Sequence, residues 1–320
     1  TVNQPGQGLD VYTNTILSAD QEFLGDLIVH SGAQLTVTGT LGFQQGYGLI
    51  VERNARLVLT DGGVLTRGCN TPHWDGVNVL GNSNLTQPAT NAPLLNPNQS
   101  GIVFMDDGQI EWALTGISTG GGYSSAFWGG VVDASNSRFV NNRKAVEFMQ
   151  YTQSTNVSQF VNVEFWEMAD QWGSAFNNTE GVSIWETNGI EFKHCTFRNF
   201  DRHGIRTFDS QISVLKGCRF EGNTTGIAKF STFPMTGQTI IGAENSLANI
   251  FIDNQVHINA SLNSAIAKSL GTLALSVVNN NFYNGQFGVV VDGASDYIVA
   301  GNLFDNVQYG VQTQNTELDP

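Results

Sequence analysis

A run of three apolar residues, Leu27-Ile28-Val29, returns 22 residues later as Leu49-Ile50-Val51. At the same spacing, Ser31-Gly32-Ala33-Gln34-Leu35-Thr36-Val37 returns as Arg53-Asn54-Ala55-Arg56-Leu57-Val58-Leu59. A third run, Leu41-Gly42-Phe43, is echoed by Val64-Leu65-Thr66. Each repeat therefore holds three short strands separated by Gly, Asn or Asp turns. A fixed period of this length is the mark of a solenoid. Leucine-rich repeats need a Leu and Asn pattern that is absent, so the period predicts an all-β, right-handed parallel β-helix with about 22–23 residues per coil.

The second half carries the same unit in another form. Phe139, Phe197, Phe220, Phe282 and Phe304 each open a Phe-x-Asn or Phe-x-Gly-Asn turn that leads to Ala-Val, Gly-Ile or Gly-Val. In stacked coils the Phe column should fill the interior. The Asn column (Asn141, Asn199, Asn284, Asn306) should lie at a turn, tolerating a left-handed backbone and bonding the amides above and below. The 62 residues from Phe220 to Phe282 leave room for about two intermediate coils plus insertions. Altogether roughly 11–13 coils are expected, a rod of about 50–60 Å at ~4.8 Å per coil.

Residues 1–24 fit the period poorly and are expected to cap the first coil, with 25–320 forming one continuous helix. Three breaks in the period read as loop insertions, near 80–100 (with Pro88, Pro93 and Pro97), 120–128 and 149–188. The last contains Trp166, Trp172 and Trp185, a candidate recognition surface because aromatic rings on irregular segments suit sugars or a protein partner.

Composition limits the partners. Fourteen Lys and Arg against 28 Asp and Glu give a net charge of −14, which repels nucleic acid and anionic lipid. There is no run of 18 apolar residues for membrane insertion. The chain opens at Thr1 with polar sequence, as a processed N-terminus or a fragment of a longer protein would. Cys69, Cys195 and Cys218 show no metal-ligand spacing, and the 23-residue step from Cys195 to Cys218 stacks them in the interior as small hydrophobes.

The segment from Trp74 through Gly76, Asn78, Gly81 and Asn84 to Gln87 resembles a motif of large secreted Bacteroidota β-helix surface proteins. So do the Gly-Ala-Gln-Leu-Thr-Val and Ala-Arg-Leu-Val-Leu coils and the stretch from Arg138 to Met149. That resemblance implies export as type IX secretion cargo and residence at the bacterial cell surface. It supplies no catalytic residues.

Catalytic constellations are sparse. Asp106-Asp107 and Arg202-His203-Gly204 resemble parts of a polygalacturonase site, but four coils between them place them near ~20 Å apart, beyond the 5–10 Å a carboxylate pair needs. Asp133, Glu147, Glu164 and Glu167 do not share a coil position, so calcium is a weak expectation and no other cofactor is expected. The five His residues show no ligand spacing. The leading reading is a non-catalytic extracellular structural or adhesive protein: a stalk, an adhesin or a self-assembling filament subunit, with itself or surface glycans and proteins as partners. The alternatives are a polysaccharide lyase, hydrolase or phage-type depolymerase, and a monomeric glycan-binding module.

Overall fold

The computed structural model describes residues 8–168, 178–232, 239–242, 247–262, 275–293 and 297–314. Among them, three short strands per turn stack in register into a parallel β-helix. Sheet A has twelve strands from Leu9–Val11 to Tyr309–Gln314, and sheet C eleven from Gln21–Phe23 to Leu303–Asp305. Sheet B has eight, from Thr15–Leu17 to Gln211–Lys216, and a three-stranded sheet beginning at Thr239–Ile241 packs beside its last strand. Twelve coils at ~4.8 Å make a rod of roughly 50 Å.

Alternation sets the inside and the outside. In Arg56–Thr60 the side chains of Leu57 and Leu59 are buried while Arg56, Val58 and Thr60 face outward. In-register pairing then turns every inward residue into a column. The column on sheet C runs Leu41, Leu65, Ile110, Phe139, Phe165, Phe197, Phe220, Phe251, Phe282, Phe304. From Phe139 onward its seven rings stack face to face, with centroids 4.6–5.1 Å apart.

Several details differ from the sequence reading. Residues 9–23 are a coil, not a cap: Leu9 pairs with Leu27, Thr15 with Leu35 and Gln21 with Leu41. The period is hidden there because Tyr12, Ile16 and Leu24 stand outward. The 149–188 segment is not one insertion, since Gln159–Val161, Glu164–Trp166 and Glu180–Trp185 are regular strands. Between Phe220 and Phe282 there is one intermediate coil, that of Phe251, rather than two.

The Asn positions divide into two kinds. Asn141, Asn199, Asn284 and Asn306 all take φ between 53° and 64°, the left-handed bend that ends sheet C. At the far end their side chains bond to one another along the axis, from Asn306 to Asn284 (2.8 Å) and from Asn284 to Asp253 (2.7 Å). Gly222 sits above Asn199 and breaks the row, while Asn141 accepts the Met168 N–H.

The buried ladder lies one residue further on. Asn142, Asn223 and Asn254 each turn inward and grip the preceding coil with both ends of the amide. Their oxygens accept the N–H of Ala113, Phe200 and Asn223, and their nitrogens donate to the C=O of Ile110, Phe197 and Phe220. At the corner before sheet C, Asn249 and Asn302 do the same for Cys218 and Leu215 and for Asn280 and Val277, and Asn280 between them donates to the Ile241 carbonyl and accepts from the Asn249 amide. These bonds satisfy backbone groups that the tight corners leave without ladder partners.

His257 joins this network. Its Nε2–H donates to the Asn284 carbonyl (2.6 Å) and its Nδ1 accepts from Asn254 (3.1 Å), which fixes a neutral tautomer. Burial pushes its pKa down to about 4. A base with a depressed folded pKa gives stability that is complete above its unfolded value near 6.5 and is lost as pH falls toward 4. We expect acidification across that window to remove on the order of 3 kcal/mol through His257. His257→Leu should flatten that part of the stability profile in chemical unfolding measured pH by pH.

Cys195 and Cys218 are buried on adjacent coils, and Cys69 is exposed. Burial, then the neighbouring Cys195, drives the Cys218 thiol well up. One thiol, that of Cys69, should react with an aromatic disulfide reagent in the native protein, and three should react after denaturation. Native labelling of two or three would refute this packing.

Candidate functional site

Loop insertions in consecutive coils leave the helix at one corner. Residues 80–101, 119–130 and 149–158 each connect a sheet A strand to the following sheet B strand. They pack on one another through Gln87, which donates to the Gly129 carbonyl (2.9 Å) and accepts the Val157 N–H (2.9 Å). Tyr151 OH donates to the Leu85 carbonyl (2.8 Å) and accepts the Gln87 N–H (3.1 Å). The result is a ridge along one edge of sheet A.

A groove of about 490 Å³ lies against this ridge, over the outer face of sheet A. Its floor carries Ile50, Asn78, Ser118 and Glu147, which occupy one outward column in successive coils. The neighbouring column begins with Gly48 and Gly76, so the floor there is bare backbone. Gly76 has φ +103°, and a Cβ on it would fall 1.7 Å from the Thr115 carbonyl oxygen, so no other residue fits.

Tyr123 stands at the ridge side, carried by a turn whose Gly121 is held from the floor. Asn78 donates to the Gly121 carbonyl (2.6 Å), and Ser118 Oγ accepts the Gly121 N–H (3.0 Å). Phe127 meets the Tyr123 ring edge-on at 6.1 Å, and the Arg53 guanidinium lies 4.4 Å over Phe127. The opposite rim holds Asp26, Asp75 and Arg143. Asp26 accepts the Gly48 N–H at 2.9 Å. Desolvation by the groove walls, with Asp26 adding to it, raises the Asp75 carboxyl pKa. Desolvation, then Asp26 and Glu52, raises that of the Tyr123 phenol.

Beyond the groove the same face stays charged. Lys144 pairs with Glu147, and the buried Glu180 faces Arg206 at 3.1 Å and Arg202 at 3.6 Å. Burial and then Asp201 push Glu167 up to about 8, while burial and then Arg206 and Arg202 push His203 down to about 4.

The residues singled out in the sequence do not gather here. Trp166 is on the outer face of sheet C under Arg198 (4.2 Å), and Trp185 is on sheet A beside Phe208 (5.1 Å). They share no surface, and Trp172 lies outside the described residues. Asp106 ends a sheet B strand, where it accepts from Ser135 and Asn136 (both 2.9 Å), and Asp107 is a left-handed turn residue. His203 is on sheet A, so these elements face different ways. Asp133, Glu147 and Glu164 belong to sheets B, A and C. Among the described residues no three His, Cys, Asp or Glu side chains converge as metal ligands. Nor is any helix long and apolar enough to cross a membrane. Asp26, Tyr123 and Arg143 carried no sequence signal, because a span of five coils interrupted by insertions brings them together.

A family model described as the right-handed beta helix region matches residues 75–304. No curated protein sequence matches the chain. Solved structures align with the chain at low identity. The A-module of the Azotobacter vinelandii mannuronan C-5 epimerase AlgE4 is 11% identical, with 91% of this chain and 88% of that one covered and a TM-score of 0.41. PfbA, a surface adhesin of Streptococcus pneumoniae, is 14% identical, with 92% and 85% covered and a TM-score of 0.33. An exopolygalacturonase from Thermotoga maritima is 10% identical, with 96% and 85% covered and a TM-score of 0.32.

Proposed function

Because the chain belongs to the right-handed β-helix family, we propose that it uses one face of its solenoid as a binding surface, acting as an extracellular adhesive protein that holds a carbohydrate chain along sheet A. The observation that carries this reading is the shared corner of the three insertions. In repeat proteins, insertions collected on one side build the binding face. Here the middle insertion supplies Gly121, Gly122 and Tyr123 to one wall of a groove whose floor is polar and partly bare backbone, and the other two brace it through Gln87 and Tyr151. The groove runs along the axis, and its ~4.8 Å step per coil is close to the length of one pyranose residue. An extended glycan would therefore meet equivalent positions coil after coil. Charged residues make up only 13% of the chain, so neutral polar groups that bond sugar hydroxyls cover much of the surface.

The test is affinity electrophoresis and calorimetry of the whole chain against a glycan panel, beside an Ile50→Trp variant that fills the groove floor. Wild type should bind at least one glycan, the variant should lose it, and Arg138→Ala on sheet C should keep it. Binding that survives Ile50→Trp would remove the groove from the argument. New reducing ends or an unsaturated product during incubation would replace adhesion by hydrolase or lyase activity.

A further inference from the structure

Resting on the carbohydrate reading above, we infer that the groove selects an amino-sugar chain, with one ammonium-bearing pyranose placed on Tyr123 against the carboxylates of Asp26 and Asp75. Three features converge on a cation at this place. The first is the pair of carboxylates. Asp26 is anchored by the N–H of Gly48, and Asp75, one coil beyond that glycine turn, lines the same groove, so carboxylates from the coils on either side of the turn meet at it. Gly48 and Gly76 put no side chain between them.

The second is the ring. Tyr123 is exposed at the groove edge, and its turn is tied to the floor by Asn78 and Ser118, so its position is set before a ligand arrives. An aromatic face across a groove from carboxylates favours an ammonium group between them, because the ring quadrupole and the acids attract the same charge. The third is the charge balance of the lining, which has three carboxylates (Asp26, Asp75, Glu147) and one cation (Arg143). Lys144 just outside answers Glu147 and Arg143 offsets one aspartate, so the rim keeps one carboxylate charge in excess. A polyuronate laid along this rim would be repelled. A glucosamine chain would be drawn in, and the attraction would weaken with salt because both carboxylates keep contact with solvent.

The experiment is calorimetry of the full chain with a glucosamine oligomer, its N-acetylated counterpart of equal length, and an oligogalacturonate. The amine form should bind about 10-fold more tightly than the acetylated form at low salt, with the oligogalacturonate weakest. Asp26→Asn with Asp75→Asn should abolish that preference, and circular dichroism should show the fold intact, since an Asn oxygen still accepts the Gly48 N–H. Tyr123→Ala should weaken binding and Tyr123→Phe should keep it. Equal affinity for the amine and acetylated oligomers, with Ile50→Trp still abolishing both, overturns the ammonium inference and leaves the groove reading standing. A preference unchanged by the double substitution overturns it too. No binding of any oligomer by wild type sinks both.

Discussion

Replacing Phe220 by alanine is expected to cost about 3–5 kcal/mol, read as a shift of the denaturant midpoint at constant slope. Its ring lies between those of Phe197 and Phe251, each 4.8 Å away and tilted by no more than 8°. The side chain is fully buried. Deletion removes the transfer free energy of the ring and two stacked contacts worth about 0.5–1.5 kcal/mol each. The void cannot close by collapse, because the backbones above and below are held by the parallel ladder at coil spacing. Phe220→Leu, which keeps most of the volume, should recover much of the loss. A cost under about 1 kcal/mol for the alanine variant would mean that the column relaxes, and the rigid-stack account would be wrong.

The second large effect is expected at Asn254. Its oxygen accepts from the Asn223 N–H (3.0 Å) and the Asn223 side-chain amide (2.9 Å). Its nitrogen donates to the Phe220 carbonyl (2.9 Å) and to His257 (3.1 Å). The residue is wholly buried. Asn254→Ala removes the partner of the Asn223 N–H, the Phe220 carbonyl and His257 Nδ1 where water does not reach, each costing about 1–3 kcal/mol, while the Asn223 amide keeps its bond to Phe197. Partial relaxation brings the total to roughly 3–5 kcal/mol. Hydrogen exchange should show the loss concentrated in the coils of Phe220 and Phe251, since repeats communicate through their neighbours. Uniform exchange along the rod would contradict that one-dimensional picture. Asn254→Asp is a sharper probe: a carboxylate beside His257 should raise the imidazole pKa.

What could be read from the sequence was whatever the coil period preserved. Phe197 to Phe220 and Phe282 to Phe304 are steps of 23 and 22 residues, so those coils declare themselves. Phe165 and Phe251 belong to the same stack and went unseen, because they stand 26 to 32 residues from their partners. Asn223 and Asn254 were hidden differently: they follow the bend residue by one position and turn inward, and periodicity does not say which of two adjacent polar residues does so. The groove was least legible. Tyr123 looks like part of a glycine-rich loop, and Asp26 and Asp75 like ordinary turn residues. Their meeting depends on Gly46 and Gly48 bringing two coils to one point, and on three insertions choosing the same corner.

That corner has a mechanical consequence. A pull between the ends of the rod runs along the inter-coil hydrogen bonds, so the coil interfaces carry the tension in series and the weakest one parts first. The ridge changes this locally. Gln87 leaves the coil of Trp74 and reaches Gly129 and Val157 in the two coils that follow, bypassing the ladder between them. It acts as a brace in parallel with the sheets, across the stretch that forms the groove. Under tension the rod should therefore yield outside its binding face, and an attachment held in the groove would outlast the first coils to peel.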